Sequence, residues 1–329
     1  MWWLLSAMLI VSLVALMIGY AVWMPGEPFR GPAPPLDRDQ QATRSHIERH
    51  VSVLAGDIGE RNLRRYGALN TAREYIRDTF IEFGYAPLEE RITVSGRPVF
   101  NVIVTRRGSV YPQRIIVIGA HYDTVPHSPG ANDNGSGVAA LLELARLQND
   151  QTGALTLRFV AFVNEEEPYF GTPAMGSLYH ARKTVMDGDE VVAMLSLETI
   201  GYYSDEPNSQ AYPFPFRLFY PRTGNFIGFV GNLGSRSLVR RALRVFRSNA
   251  TIASEGVAAP EIVGDIGRSD HWSFWQLGVP AIMVTDTANF RYSDYHQPTD
   301  TPDIIDYDRL TRVVHGLIET VRALTTPPD

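Results

Sequence analysis

The chain has 329 residues, 44% of them hydrophobic, and a formal net charge of −6 with no long basic run. Its length suffices for one large domain or two small ones, and its acidic balance argues against nucleic acid as a partner. Because the sequence contains no cysteine, it cannot form disulfides, thiolate metal sites or cysteine nucleophiles. Any metal must therefore be bound by histidine, aspartate, glutamate or water.

The N-terminal residues 2–24 carry no charged side chain. As a helix they would extend about 34 Å, enough to cross a bilayer, and Trp2, Trp3 and Trp23 would lie at its ends like an aromatic belt. The alternative is a cleaved signal peptide, but the apolar stretch is too long, no lysine or arginine precedes it, and no small-residue cleavage site is evident. We therefore expect residues 1–24 to form a retained, single-pass membrane anchor in contact with lipid.

A proline-rich segment follows, and residues 25–39 are predicted to be a semi-rigid linker that lifts the rest of the chain off the membrane. The nearest basic residues, Arg30 and Arg38, lie after the apolar stretch. Alone they would favour a cytoplasmic main domain, but long domains can cross a membrane regardless of such charges. We expect the domain of residues 40–329 to be extracytoplasmic, although these few charges do not determine the orientation of the anchor.

The main domain alternates helical and extended patterns. Residues 40–85 have helical spacing, and two short strand patterns, ERITV and VFNVIVTRRG, come after them. Four apolar runs then predict buried strands: RIIVIGA, LTLRFVAFVN, VVAMLSL and PAIMVTD, with helical stretches between them. This alternation predicts a three-layer α/β/α sandwich with a mostly parallel central sheet, in addition to the N-terminal transmembrane helix.

Acidic residues and histidines occur where these strands end. The first run leads to His121, the second to Glu165 and Glu166, the third to Glu198, and His296 follows the fourth. Taken singly, each residue is more often structural than functional. Together they would crowd carboxylates at the sheet edge where α/β proteins bind ligands, and such like charges repel. One bound dication would relieve this repulsion and two would relieve it better, so the pattern predicts a metal centre.

The loop HYDTVPHSPGANDNGSG, residues 121–137, contributes most to this prediction. His121 and Asp123 are two residues apart, so in an extended segment they point the same way, and a carboxylate beside a metal-binding imidazole fixes its tautomer. Asp133 lies among glycines and precedes a helix, so both of its oxygens could bridge two metals. His127 in mid-loop and His180 in a later helix are not expected to be ligands.

Seven segments together resemble the di-zinc exopeptidases of the bacterial leucyl aminopeptidase kind, which form family M28 of peptidase clan MH. They are HYDTV, NDNGSGVAALLELAR, FVAFVNEEEP, Gly176-Ser177, LSLETIGYY, SDHWSFW and YHQPTDT. The resemblance covers roughly residues 40–325, and the motifs occur in the family's order. It implies two Zn²⁺ per chain, although a ligand set of nitrogen and oxygen also admits Co²⁺ or Mn²⁺.

By motif position, the resemblance implies that His121, Asp133 and Glu198 bind one metal. It implies that Asp133, Glu166 and His296 bind the other, with Asp133 as the bridge. The family often has aspartate where this chain has Glu198, which is still an oxygen ligand with a longer reach.

Further roles follow from the same resemblance. Glu165 would be the general base, Asp123 would orient His121, and Glu167 would lie at the rim. Ser269 and Asp270 are expected to support the ligands. Tyr295, beside His296, is either a hydrogen-bond donor to a developing oxyanion or a packing residue.

The predicted function is that of a metal-dependent aminopeptidase acting on peptides. Alternatives on the same fold are a glutaminyl cyclase-like transferase with one zinc ion and a carboxypeptidase, although the sequence shows no arginine cluster for a substrate carboxylate. A non-catalytic receptor-type module would have gaps in the ligand set, and none is missing. The preferred N-terminal residue is set by loops, to which residues 203–262 are expected to contribute.

Overall fold

The computed structural model describes residues 2–326, except for the side chains of part of the first helix. Its helices are α1 (Trp2–Val22), α2 (Arg38–Val51), α3 (Tyr66–Glu82), α4 (Gly137–Gln148), α5 (Gly176–Met186), α6 (Arg236–Asn249), α7 (His271–Trp275) and α8 (Tyr307–Leu324). Its strands are β1 (Leu88–Val94), β2 (Arg97–Arg106), β3 (Tyr111–His121), β4 (Leu155–Phe162), β5 (Glu190–Glu198), β6 (Phe226–Asn232), β7 (Ala253–Ala259) and β8 (Ala281–Thr285).

The eight strands form one sheet in the order β1-β2-β4-β3-β5-β8-β6-β7. The central strands β4, β3, β5 and β8 run parallel, and so do β6 and β7. Three pairings, β1–β2, β2–β4 and β6–β8, are antiparallel. The predicted sandwich is confirmed, but its sheet is mixed, with parallel pairing concentrated at the centre.

Helices cover both faces of this sheet, which explains why the central strands are apolar without interruption. Alternate residues of β3 enter different cores: Ile116 and Ile118 pack in the larger one, with residues of α2, α4, α6 and α8. Ile115 and Val117 pack in the smaller one, with residues of α5 and α7. The strand alternation thus produces the three layers, and it leaves the carboxyl ends of the central strands on one edge.

The N-terminal helix α1 lies within the predicted membrane anchor, residues 2–24. Among the described residues, no helix combines the length and the apolar character needed to cross a bilayer. The structure therefore does not support the predicted transmembrane helix.

The predicted linker, residues 25–39, does not stand away from the domain. Arg247 of α6 donates hydrogen bonds to the carbonyl oxygens of Pro25 and Gly26, and Arg312 of α8 donates one to that of Pro34. The segment is therefore held against two helices of the main domain. Its last residues already belong to α2, which begins at Arg38 behind an Asp37 capping box.

Candidate metal centre

The strand order explains how residues far apart in sequence meet. His121 ends β3 and Glu198 ends β5, while Glu165 and Glu166 follow the end of β4, and these three strands are neighbours in the sheet. Parallel strands end at the same edge, so their C-terminal residues converge there. Asp133 and His296 enter from the loops after β3 and β8. The structure thus brings all six predicted residues together.

The first candidate metal position lies between His121, Asp133 and Glu198. The His121 Nε2 atom is 3.3 Å from Asp133 Oδ1 and 3.3 Å from Glu198 Oε2. All three side chains are buried, and each offers one ligand atom within 4.8 Å of the others. This is one of the two ligand sets that the resemblance implies.

The second candidate position lies between Asp133, Glu166 and His296. The His296 Nε2 atom is 3.0 Å from Asp133 Oδ2 and 3.4 Å from Glu166 Oε2. Asp133 therefore presents Oδ1 to one histidine and Oδ2 to the other. A carboxylate placed in this way can bridge two metal ions.

Glu165 lies beside both groups but is set back from them. Its Oε2 atom is 3.9 Å from His121 Nε2, farther than the carboxylates of Asp133 and Glu198. His121, Glu165 and Glu166 also fall within ligand distance of one another, so they form a third possible metal position. Glu167, the next residue, is exposed at the rim.

The chemistry of these side chains fits a bound cation. Within the described part of the chain, the buried atoms His121 Nε2, His296 Nε2 and Glu166 Oε1 make no hydrogen bond of suitable angle, although carboxylate oxygens lie 3.0–3.4 Å from the two nitrogens. Burial, reinforced by neighbouring carboxylates, raises the pKa values of Glu165 and Glu166 well above that of an ordinary glutamate. Unpaired imidazole nitrogens among crowded carboxylates are an electrostatic cost that dications would offset.

Asp133 is held in place by the loop after His296. The Asp300 carboxylate accepts hydrogen bonds from the backbone N–H groups of Asn132 and Asp133, at 2.7 and 3.0 Å. The next residue, Asn134, donates to the Leu197 carbonyl and accepts from the Thr199 N–H, on either side of Glu198. These contacts fix Asp133 relative to the ligands of both candidate positions. Asp300 lies in the quoted motif YHQPTDT, but its role was not predicted.

A fully buried arginine organises the other side of the loop. The Arg61 guanidinium donates hydrogen bonds to backbone carbonyls of Leu54, Gly59, Tyr122, Pro129 and Gly130. It thus ties both ends of the segment between His121 and Asp133 to the chain before β1. Burial lowers the pKa of Arg61 to about 10, although nearby carboxylates oppose this. No motif marks this arginine in the sequence.

Asp123 serves mainly the paired glutamates. Its carboxylate accepts hydrogen bonds from the N–H groups of Glu165 and Glu166, at 3.1 and 3.2 Å. Its Oδ1 atom is 3.7 Å from His121 Nδ1, beyond hydrogen-bonding distance, whereas its backbone carbonyl is 3.2 Å from that nitrogen. Asp123 therefore contacts His121 through its main chain, and its side chain positions the start of the Glu165–Glu166 pair.

The segment 269–271 lies beneath Glu198. The Ser269 hydroxyl donates to Glu198 Oε2 at 2.7 Å. Asp270 is fully buried, and burial raises its pKa to about 7. Among the described residues its two carboxylate oxygens have no hydrogen-bond partner. Ser269 thus supports a candidate ligand directly, whereas burial disfavours the charged form of Asp270.

Three non-glycine residues at this edge have left-handed backbone conformations. Asn164 (φ 59°) precedes Glu165, Thr199 (φ 45°) follows Glu198, and His296 itself has φ 62°. Such conformations are uncommon for residues with a side chain and cluster at functional sites. Their positions next to the candidate ligands indicate that the backbone is shaped for the site.

Of the remaining residues considered in the sequence analysis, Tyr295 lies at the candidate metal centre, whereas His127 and His180 do not. The Tyr295 ring stacks on the imidazole of His296, with centroids 3.9 Å apart, and it also faces the pocket described next. His127 is exposed. His180 is buried, 3.1 Å from Glu90, in a separate cluster on α5. Both of these histidines lie outside the candidate metal positions.

An apolar pocket opens beside the metal centre, with Glu198 and Tyr295 among its lining residues. Its floor comes from β6, β7 and β8, and its walls come from segments 212–220, 264–268 and 287–290. The aromatic side chains that line it are Tyr212, Phe216, Tyr220, Phe226, Phe229, Phe290 and Tyr295. The sequence indicated only that residues 203–262 would contribute, because strands β6 and β7 and the wall loops carry no motif.

Comparison with known proteins gives an independent view of this geometry. Residues 101–321 match the sequence profile of peptidase family M28. The uncharacterized protein YfbL of Escherichia coli (strain K12) is 34% identical over 319 residues, which are 94% of this chain and 95% of YfbL. Aminopeptidase YwaD of Bacillus subtilis (strain 168) is 30% identical over 205 residues, 60% of this chain and 38% of YwaD.

Solved structures share the fold at low sequence identity. The zinc aminopeptidase BSAP from Bacillus subtilis superposes with a TM-score of 0.66 at 15% identity, over 84% of this chain and 94% of BSAP. The glutaminyl cyclase of Fimbriiglobus ruber superposes with a TM-score of 0.62 at 19% identity, over 92% of this chain and 99% of that protein.

The chain belongs to peptidase family M28, as its profile match and its relatives show. The predicted family is therefore confirmed, and with it the enzyme class, a metallo-exopeptidase whose relatives include aminopeptidases.

Proposed function

We propose that this chain is a two-zinc aminopeptidase that hydrolyses the first peptide bond of peptides with a free N-terminus. The observation that carries the proposal is the placement of Asp133, whose two oxygens face His121 and His296 separately, at 3.3 and 3.0 Å. Glu198 completes one set of three ligands and Glu166 the other. The aminopeptidase relative YwaD supports the same activity.

The geometry assigns distinct tasks to the chain's own residues. When bound, two zinc ions would acidify the attacking water and polarise the scissile carbonyl. Glu165 is close to both ligand sets, and it takes the proton of that water and returns it to the leaving amine. Asp123 keeps Glu165 in reach by accepting the hydrogen bond from its backbone N–H. Ser269 fixes Glu198 through its hydroxyl.

Tyr295 is the candidate donor to the oxyanion. Its ring stacks on His296 and lines the pocket, and we propose that its hydroxyl reaches the oxyanion as that charge develops. Burial and the surrounding carboxylates raise its pKa, which keeps the hydroxyl protonated and able to donate. We assign it the stabilisation of the tetrahedral intermediate.

The second candidate function is that of a glutaminyl cyclase-like transferase, because two solved glutaminyl cyclases share this fold. It requires a single zinc ion. This chain has complete ligand sets for two positions, and the set of the first, His121 and Glu198 with Asp133, would be unnecessary in a one-zinc enzyme and therefore favours hydrolysis. Metal content separates the two functions, since hydrolysis predicts two zinc ions per chain and cyclisation predicts one.

The location of the protein is a proposal that rests on the sequence. Residues 2–24 lack charge, and we propose that they hold the protein at a membrane, with the catalytic domain extracytoplasmic. Full-length protein would then sediment with membranes after alkaline extraction and be accessible to an external protease. Release into the soluble fraction would refute the anchoring.

The test of the activity uses purified full-length protein with measured zinc content. It is assayed on aminoacyl anilides, on peptides with a free N-terminus and on the same peptides acetylated at the N-terminus. The proposal expects release of the first residue from free peptides only, loss of activity with a chelator, and recovery with zinc. Cleavage of the acetylated peptides from their carboxyl end would contradict it.

A further inference from the structure

The floor of the pocket connects the metal centre to a second carboxylate. In the registers of the four strands, Glu198 of β5 pairs with Thr285 of β8, Thr285 with Gly228 of β6, and Gly228 with Glu255 of β7. Residues paired in this way point to the same face of a sheet. All four line the pocket. Glu198 and Glu255 are therefore the two ends of one row of residues beneath it.

The length of this row sets the size of the group that fits between its ends. Three strand spacings separate the Cα atoms of Glu198 and Glu255, which is about 14 Å. Gly228 has no side chain, so no side chain projects from this position of the floor into the pocket between Glu198 and Glu255. A side chain that starts at the metal centre must be long to reach the Glu255 end.

Glu255 has unused capacity to bind a cation. No hydrogen bond from a described residue ends on its carboxylate, and its one ion pair, with Arg247 Nη2, is long, at 3.5 Å from Oε2. Arg247 is itself engaged, because it donates to the backbone carbonyls of Pro25, Gly26 and Ser254. The other charges in the lining are Glu198, a candidate ligand, and Asp265 and Arg268, which pair with each other at 3.1 Å.

Aromatic rings surround the Glu255 end of the pocket. The Tyr220 hydroxyl donates to the carbonyl of Gly256, the residue after Glu255. Its ring is 5.8 Å from that of Tyr212 and 6.2 Å from that of Phe216. Aromatic faces attract ammonium and guanidinium groups, and a carboxylate among them adds a direct ionic partner. This combination of groups suits a cation on an apolar stem.

We infer that the pocket selects peptides whose N-terminal residue is lysine or arginine, with Glu255 receiving the cationic end of that side chain. The inference rests on the proposed aminopeptidase function, in which the first residue of the peptide enters this pocket. Lysine and arginine have the required form, because each carries its charge at the end of a flexible apolar stem. Glu255 is thus a specificity-determining residue and takes no part in the bond cleavage.

The test compares two substrates that differ only in charge at the tip. Lysyl anilide and norleucyl anilide share the same four-carbon stem and a free α-amino group, and only the first carries an ammonium group at the end of the stem. The zinc-loaded full-length protein is expected to show a kcat/KM at least tenfold higher for lysyl anilide. Glu255→Gln should reduce this ratio to about one, while kcat/KM for norleucyl anilide changes less than threefold.

Two further variants separate charge from packing. Glu255→Asp keeps the charge and should retain part of the preference for lysine. Glu261→Gln removes an exposed carboxylate outside the pocket, which accepts a hydrogen bond from Asn232, and should leave the ratio unchanged. If both substrates lose activity equally in Glu255→Gln, or if the preference survives in it, the inference is wrong.

The outcome also distinguishes this inference from the proposed function. Metal-dependent hydrolysis of norleucyl anilide without a preference for lysine would overturn the role of Glu255 and leave the aminopeptidase activity intact. Failure to release any N-terminal residue from either substrate would overturn both.

Discussion

The metal centre and the adjoining pocket occupy one edge of the same sheet, yet they are built in different ways. The candidate metal centre consists of six polar side chains at the ends of β3, β4 and β5 and in two loops, and the proposed function gives each of them one chemical task. The pocket uses many apolar side chains from β6, β7, β8 and three loops, and its shape arises only from their packing. Under the proposed function, the reaction chemistry would depend on a few residues and the selectivity on the whole pocket surface.

This difference implies different sensitivities to mutation. A metal ligand has no substitute, so its loss should remove nearly all activity on every substrate. A pocket residue changes one class of substrate relative to another, by a smaller factor.

The largest effect is expected for Asp133→Asn, because Asp133 belongs to both candidate metal positions. We predict loss of zinc from both and a decrease of kcat/KM of about a thousandfold or more. Metal analysis and anilide kinetics would measure this. His127→Asn, in the same loop but exposed, is the control. Wild-type zinc content in Asp133→Asn would contradict the bridging role.

Glu165→Gln should separate catalysis from metal binding. Since Glu165 is proposed to move the proton and not to bind zinc, the variant should keep its zinc and lose about 10²–10⁴-fold in kcat. Glu167→Gln, at the exposed next position, should behave like the wild type. A collapse of zinc content in Glu165→Gln would instead place the metal between His121, Glu165 and Glu166.

Arg61→Met tests the scaffold that the metal centre needs and the pocket does not. It leaves buried carbonyls around the loop without their donor, so the free energy of unfolding should fall by about 3 kcal/mol or more. Urea denaturation would measure this. The matched variant Arg64→Met, which changes an exposed arginine three residues later, should cost little. Equal stability of the two variants would remove Arg61 from this role.

Gly228→Ala tests the pocket without touching a ligand. An added Cβ would come within 3.2 Å of the Thr285 carbonyl oxygen and raise the floor between Glu198 and Glu255. We expect kcat/KM for long N-terminal side chains to fall about 10–100-fold, with alanyl anilide little affected. Gly234→Ala, beyond the end of β6, is the control. A uniform loss on all substrates would show that the change acts on the metal centre.

The smallest effect concerns His271, a buried residue that contacts the pocket-lining Ile266. Burial lowers the pKa of His271 to about 4. Its hydrogen bond to the Ile266 carbonyl favours protonation, but this effect is smaller than that of burial. Below pH 6.5 the unfolded chain therefore takes up a proton that the folded chain refuses until about pH 4. Stability is lost as pH falls through this window, by about 1.4 kcal/mol at pH 5.5 from this histidine.

The variant His271→Gln should show a correspondingly weaker decrease of the unfolding free energy between pH 7 and pH 5.5, measured by urea denaturation. An unchanged slope in His271→Gln would mean that burial does not hold His271 neutral.

The sequence predicts the central strands and the candidate metal centre much better than it predicts the pocket. Strands β3, β4, β5 and β8 were predictable because they are buried on both faces and read as continuous apolar runs. The candidate ligands His121, Glu166 and Glu198 were predictable because they stand at or just after the ends of those runs. Asp133 and His296 lie in loops, and only the family motifs singled them out. The antiparallel pairing of β6 with β8 could not be predicted, because the direction of a strand depends on connecting segments that carry no periodic signal.

The supporting residues were harder to predict than the ligands. Arg61 acts through backbone carbonyls, which any sequence provides, so nothing in its neighbourhood marks it. Glu255 is one carboxylate in a weakly patterned strand, and only the register of β6, β7 and β8 places it opposite the metal centre. The side chain of Asp123 was expected on His121 and instead holds Glu165 and Glu166, because two backbone N–H groups lie closer to it.

The central claim is that Asp133 bridges two metal ions, and anomalous diffraction from crystals of the zinc-loaded protein tests it most directly. We predict two zinc peaks, one among His121, Asp133 and Glu198 and the other among Asp133, Glu166 and His296, with no ligand bond from Glu165. A single peak, or a peak bound by His121, Glu165 and Glu166, would contradict the account.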